Sequence, residues 1–224
     1  MIDTMPIKTF FAILKTVLIS QILLIPDYVY SQKATDWNSW TSFGVNYNMT
    51  QSFRIRTKLE YRRKDNFSSH DRWSFNAGTG YKFNKYIELK GAYEIHHSYN
   101  KSGSWSFRHR YNLGAQVFYS IGNMKFSWRE RFQQTFDSGK SEKLIRSRIK
   151  MDYMLWSTLI VPQFSIEFFQ ILDNGEFPEI FRTRYMPGVK FNISKQYSVL
   201  CFYCRQQQVF RDKNILGIDF TLNL

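Results

Sequence analysis

Residues 105–119 read Trp-Ser-Phe-Arg-His-Arg-Tyr-Asn-Leu-Gly-Ala-Gln-Val-Phe-Tyr, and their alternation decides the fold. Apolar side chains fall at Trp105, Phe107, Tyr111, Leu113, Ala115, Val117 and Tyr119. Arg108, Arg110, Asn112, Gly114 and Gln116 fall between them. Successive side chains of an extended chain point to opposite faces, so this segment is a strand with one apolar and one polar face. A surface helix would space its apolar residues by three and four instead.

The same period of two runs outward in both directions. Upstream, Phe53, Ile55, Leu59 and Tyr61 alternate with Arg54, Arg56, Lys58 and Glu60, ahead of Arg62. Trp73, Phe75, Ala77, Tyr81 and Phe83 alternate with Ser74, Asn76, Gly78, Gly80 and Lys82. Ile87, Leu89, Tyr93 and Ile95 alternate with Glu88, Lys90 and Glu94. Downstream, Trp128 and Phe132 bracket Arg129 and Arg131, and Ile145 and Ile149 bracket Arg146 and Arg148, ahead of Lys150 and Asp152. Phe164, Ile166 and Phe168 flank Ser165 and Glu167, and Phe181 and Tyr185 flank Arg182 and Arg184. Tyr197–Tyr203 is less cleanly patterned, and the chain closes on Leu216, Ile218, Phe220, Leu222 and Leu224. About eleven strands of roughly 9–15 residues result, the length a tilted strand needs to cross a bilayer.

Composition agrees. Aromatic residues make up 18% of 224 residues, yet mean hydropathy is only −0.41. A chain that is aromatic-rich and polar on average fits strands with two unlike faces. The uniformly aromatic face has no second apolar face to pack against, which argues against a secreted soluble barrel with a polar exterior. The expected fold is therefore all-β: a closed antiparallel transmembrane β-barrel of about 10–12 strands in the bacterial outer membrane. Short connections near Asn48–Gln51, Asn84-Lys85, Ile121–Asn123 and Ile193–Lys195 alternate with longer polar ones near 64–71, 99–104, 137–143, 172–178 and 209–213. Bacterial single-chain barrels usually carry even strand numbers. A count of eleven leaves either a missed or misplaced strand, or an N-terminal tail threading the lumen.

The N-terminus reads as a leader. Lys8 precedes a broken apolar run from Thr9 to Pro26, and Val29-Tyr30-Ser31 offers a cleavage site after Ser31. The domain expectation is a signal peptide over 1–31 and an outer-membrane barrel over 32–224; an N-terminal membrane anchor is the alternative. Removing the leader takes away Lys8, Lys15, Asp3 and Asp27, so the net charge stays at +13. Cys201 and Cys204, the only cysteines, stand three apart on an extended segment and face opposite sides of the sheet. They are read as two small strand residues, not as a disulfide or metal pair.

The polar parity of a barrel faces its lumen. Its basic lining is expected from Arg54, Arg56, Arg108, Arg110, Arg129, Arg131, Arg146, Arg148, Arg182 and Arg184. Its acidic lining is expected from Glu60, Glu94, Asp152 and Glu167. The excess of cations points to a narrow pore or a binding site for small anionic solutes. The alternative is an Arg–carboxylate network that seals a structural or surface barrel. About eight strands are just filled by side chains and about 16–18 leave an aqueous channel, so 10–12 strands favour a filled or nearly filled lumen. Glu130 shares the apolar parity of Trp128 and Phe132, and a bulge or a rim position is expected there.

Other classes are weaker. His70 lies beside Ser68, Ser69 and Asp71 in a stretch read as loop, and solvated loop residues rarely form a catalytic triad. His96 and His97 face opposite sides and cannot readily share a metal. No enzyme activity, metal or cofactor is expected. The +13 charge and the aromatics raise nucleic-acid binding, but a leader and lumenal arginines argue against it. The expected partners are outer-membrane lipid, the barrel-assembly machinery and small anionic solutes, not nucleic acid.

Several short motifs resemble a known family. They are Asp36-Trp37, Glu60-x-Arg62, His109-Arg110, Arg129-x-Arg131, Glu167-Phe168 and Arg184…Gly188…Phe191. Together they resemble the bacterial outer-membrane barrels of domain of unknown function 2490, over about Asp36 to Leu224. The resemblance implies a barrel and outer-membrane placement, and no activity. The chain departs from outer-membrane barrels, whose last strand more often ends in Phe, by ending on Leu224.

Overall fold

The structure is a computed structural model and describes residues 35–99, 103–137, 140–155, 159–172, 179–209 and 211–224. The expected leader, 1–31, lies outside the described residues. Eleven strands follow in order: β1 (Thr35–Asn48), β2 (Phe53–Lys64), β3 (Ser69–Lys82), β4 (Ile87–Tyr99), β5 (Trp105–Ile121) and β6 (Met124–Asp137). β7 (Lys140–Tyr153), β8 (Ile160–Ile171), β9 (Ile180–Asn192), β10 (Tyr197–Gln208) and β11 (Asp212–Asn223) complete the set. Each consecutive pair is antiparallel, and the sheet closes on itself through β1 and β11.

The closure explains the odd count. β1 and β11 pair in parallel, with Trp40 opposite Gly217 and Ser42 opposite Asp219. With eleven alternating strands the first and last run in the same direction, so only a parallel seam leaves no edge. Among the described residues the strand count is eleven, as read, and the seam is continuous from Thr35↔Asp212 to Asn46↔Asn223. Side-chain bonds reinforce it: the Ser42 hydroxyl donates to Asp219, and Asn46 Nδ2 donates to Asn223 Oδ1 at 2.8 Å.

The connections differ from the sequence reading. Parts of two stretches that look like long polar loops, 64–71 and 137–143, are strand: β3 begins at Ser69, β6 runs to Asp137 and β7 begins at Lys140. Pairing satisfies the backbone there, whatever the polarity of the side chains. The 65–68 turn places Asp65, Asn66 and Phe67 at φ 55°, 54° and 64°. That backbone is held from β1, where Asp36 Oδ1 accepts from Asn66 N at 2.9 Å and Trp37 O accepts from Phe67 N at 3.3 Å.

The outer face carries exposed apolar side chains around the barrel, among them Phe43, Leu59, Phe75, Leu89, Phe107, Leu113, Phe132, Phe164 and Phe220. Buried residues are mostly polar, including Asn112, Gln116, Arg129, Gln133, Glu167 and Arg184. This inverts the arrangement of a water-soluble domain. One irregularity stands in the β9–β10 ladder, where Tyr203 and Cys204 lack paired partners between Phe202↔Gly188 and Arg205↔Tyr185. Pro187 faces that gap and has no N–H to donate.

Glu130 corrects the sequence reading. The registers of β5–β6 and β6–β7 run without a shift through Ala115↔Glu130 and Glu130↔Ser147, so there is no bulge. The residue lies mid-strand, away from either rim. The parity of β6 is as read, since Arg129 and Arg131 line the interior cavity. Glu130 is accommodated because both its oxygens are occupied: Trp128 Nε1 donates to one at 2.9 Å and Ser147 Oγ to the other at 2.8 Å.

Candidate functional site

Inward side chains of the barrel surround a cavity of about 420 Å³. The strand alternation aims each side chain: even positions of β2, of β3 from Arg72 onward, and of β4 and β5 point in, as do odd positions of β6 and even positions of β7, the β2–β3 register shifting at Arg62/Arg63. The wall from β2 to β7 thereby contributes Arg62, Arg72, Arg110, Arg129, Arg131, Arg146 and Arg148, with Glu60 and Glu94.

Glu167 on β8 is the hub of the ion pairs. Its carboxylate meets Arg129, Arg146 at 3.0 Å and Arg184 at 3.7 Å, while only 3% of its side chain is exposed. Glu60 pairs with Arg62 at 2.6 Å, Glu94 with Arg110 at 3.5 Å, and Lys58 with Asp219 at 3.3 Å. Burying these charges is tolerable because they are paired and hydrogen-bonded. The supply of carboxylates runs out before the arginines do. Arg72, Arg131 and Arg148 line the same cavity, and no carboxylate among the described residues lies within ion-pair distance of them. The cavity therefore carries an uncompensated positive field in a low-dielectric setting.

The opposite side of the cavity has a different chemistry. Trp40, Phe169, Met186, Leu200 and Phe202 line it from β1 and β8–β10. Trp40 meets Phe202 edge-on, with ring centroids 6.3 Å apart. Gly217 makes this contact possible, because a Cβ there would collide with the Phe202 ring. Arginines lie over these rings: Arg62 is 3.7 Å above Trp40, and Arg146 and Arg184 are each 4.5 Å above Phe169.

A profile described as "Protein of unknown function (DUF2490)" matches residues 37–215, most of the chain. The chain belongs to the DUF2490 family. No curated protein matches it. The family resemblance read from the short motifs thus holds, and the shared region spans every strand from β1 into β11.

In this DUF2490 barrel, the lumenal residues read from the sequence divide into two groups. Arg110, Arg129, Arg131, Arg146, Arg148, Arg182, Arg184, Glu60, Glu94 and Glu167 converge on the cavity. The other four do not line it. Arg54 bonds Asn48 near one mouth at 2.9 Å, and Arg108 pairs with Asp137 near the other at 2.8 Å. Arg56 is taken by Glu88 at 2.6 Å, and Asp152 by Lys150 at 2.8 Å. The sequence reading missed Arg72, which falls between the connection read at 64–71 and the strand read from Trp73, and the apolar wall altogether. The signal for that wall was present in β10, where Leu200, Phe202 and Cys204 are apolar on the parity that should be polar.

The histidines gather no catalytic set. His70 Nδ1 meets Tyr61 Oη at 2.5 Å on the outer face, and His109 Nδ1 meets Tyr93 Oη at 2.6 Å. His96 is buried inside, whereas His97 stacks on Phe107 outside. Cys204 is buried and Cys201 exposed, on opposite faces. Among the described residues no group of His, Cys, Asp or Glu is arranged to hold a metal.

Proposed function

We propose that this protein is an outer-membrane barrel whose basic lumen binds small anionic solutes and lets them pass slowly, if at all. The carrying observation is the cavity of about 420 Å³ that Arg72, Arg131 and Arg148 line without carboxylate partners among the described residues. An anion entering that space gains several guanidinium donors and repays the cost of keeping them dry. The membrane reading rests on the exposed apolar side chains of the outer face and on the leader read at 1–31. Binding is favoured over free passage because the Glu167 ion pairs gather arginines of β6, β7 and β9 beside Phe169 inside the lumen. The protein acts by binding, not by catalysis.

Planar-bilayer recording tests this reading. Under a salt gradient, any conductance of the purified barrel should show a reversal potential displaced toward the anion. Cation selectivity would contradict a lumen with unpaired arginines.

A further inference from the structure

We infer that the solute is an amphipathic anion: a small organic carboxylate carrying a compact aliphatic or aromatic body. The inference rests on the anion-binding reading above and deepens it. What carries it is the two-sided construction of this cavity. One wall, from β3, β6 and β7, presents Arg72, Arg131 and Arg148 without carboxylate partners among the described residues. The other, from β1, β9 and β10, presents Trp40, Met186, Leu200 and Phe202.

Each wall excludes a class of ligand. A simple hydrated anion would satisfy the arginines but leave water against Met186, Leu200 and Phe202, with no gain from the apolar wall. A wholly apolar molecule would displace that water but leave buried guanidinium groups without a counter-charge. A carboxylate with an apolar body answers both: its oxygens lie toward Arg131 and Arg148, and its body lies toward Phe202 and Met186. The volume, about 420 Å³, falls in the lower part of the roughly 300–1,000 Å³ range of small-molecule sites. That size limits the body to a short chain or one ring system.

The apolar wall is also more than lumen filling. Trp40 and Phe202 meet edge-on only because Gly217, opposite both in register, carries no side chain. Their rings therefore lie along the wall, and the cavity beside them stays unfilled. Pure filling would be served by a larger residue at that position and no cavity.

The experiment compares three probes on the full-length barrel in nanodiscs by calorimetry, with protein-free nanodiscs subtracted: octanoate, acetate and inorganic phosphate. Octanoate should bind at least about tenfold more tightly than acetate, since two buried methylenes suffice for that ratio. Met186→Gln should shrink the ratio by weakening octanoate more than acetate. Arg148→Gln should weaken all three anions together. Gel mobility before and after heating shows whether each variant is folded, and the wild-type ratio alone decides if one is not. Equal affinity for octanoate and acetate would overturn the amphipathic ligand while leaving anion binding standing. Absence of binding by all three anions would overturn the anion-binding reading itself, and the inference with it.

Discussion

Ser147 Oγ donates to Glu130 Oε2 at 2.8 Å from the directly opposed position on the neighbouring strand, on the outer face of the barrel. A carboxylate among exposed apolar residues is therefore held by local donors, with Trp128 Nε1 on its other oxygen. Glu130→Leu would leave the Trp128 indole N–H without its acceptor in apolar surroundings, at a cost of about 1–3 kcal/mol. Glu130→Gln keeps an acceptor for Trp128 and should cost less. Urea unfolding of the barrel in lipid vesicles measures both. Equal stability of wild type and Glu130→Leu would show that these bonds hold nothing.

Leu113 lies mid-strand in β5 and is 62% exposed. Leu113→Arg should cost roughly 2–4 kcal/mol if that face meets the centre of a bilayer. The neighbouring Gln116, buried on the opposite parity, should not respond to the thickness of the surrounding bilayer. Fractionation should find the wild-type protein in the outer membrane, with heat-modifiable mobility. Recovery as a soluble periplasmic protein would remove the basis for the membrane reading.

Glu167 is the shared carboxylate of Arg129, Arg146 and Arg184. Glu167→Gln should destabilise the barrel by about 3–5 kcal/mol, because three buried cations lose their counter-charge. Arg131→Gln and Arg148→Gln remove cations without a carboxylate partner among the described residues and should change stability by no more than about 1 kcal/mol. If Arg148→Gln destabilised as much as Glu167→Gln, Arg148 would be part of the structural network and not of the binding site.

Cys201 and Cys204 offer a parity test. A membrane-permeant maleimide should modify exposed Cys201 in the folded barrel and reach buried Cys204 only after unfolding. Labelling both at equal rates would contradict the assigned faces of β10.

Much of this barrel was legible in the sequence because a closed sheet enforces a period of two at every position. Arg129 and Arg131 could be placed inside from Trp128 and Phe132 alone. The strand count was legible, but the parallel β1–β11 seam was not, since nothing in Thr35–Asn48 or Asp212–Asn223 encodes the direction of a partner. Glu130 misled because its compensation comes from Ser147, a residue on another strand whose register the sequence does not reveal. The apolar wall escaped notice for a different reason. Phe202 and Leu200 follow the period, but alternation detects only contrast, and β10 is apolar on both faces over part of its length. Which arginines remain unpaired was likewise invisible, because it depends on how far three arginines reach toward one Glu167.

The central claim is that unpaired lumenal arginines bind an anion, and calorimetric titration of the folded barrel with inorganic phosphate at low salt tests it most directly. Saturable binding is predicted, weakened by added chloride and abolished in an Arg131→Gln, Arg148→Gln double variant that remains heat-modifiable. No saturable binding, or binding that survives unchanged in the folded double variant, would contradict it.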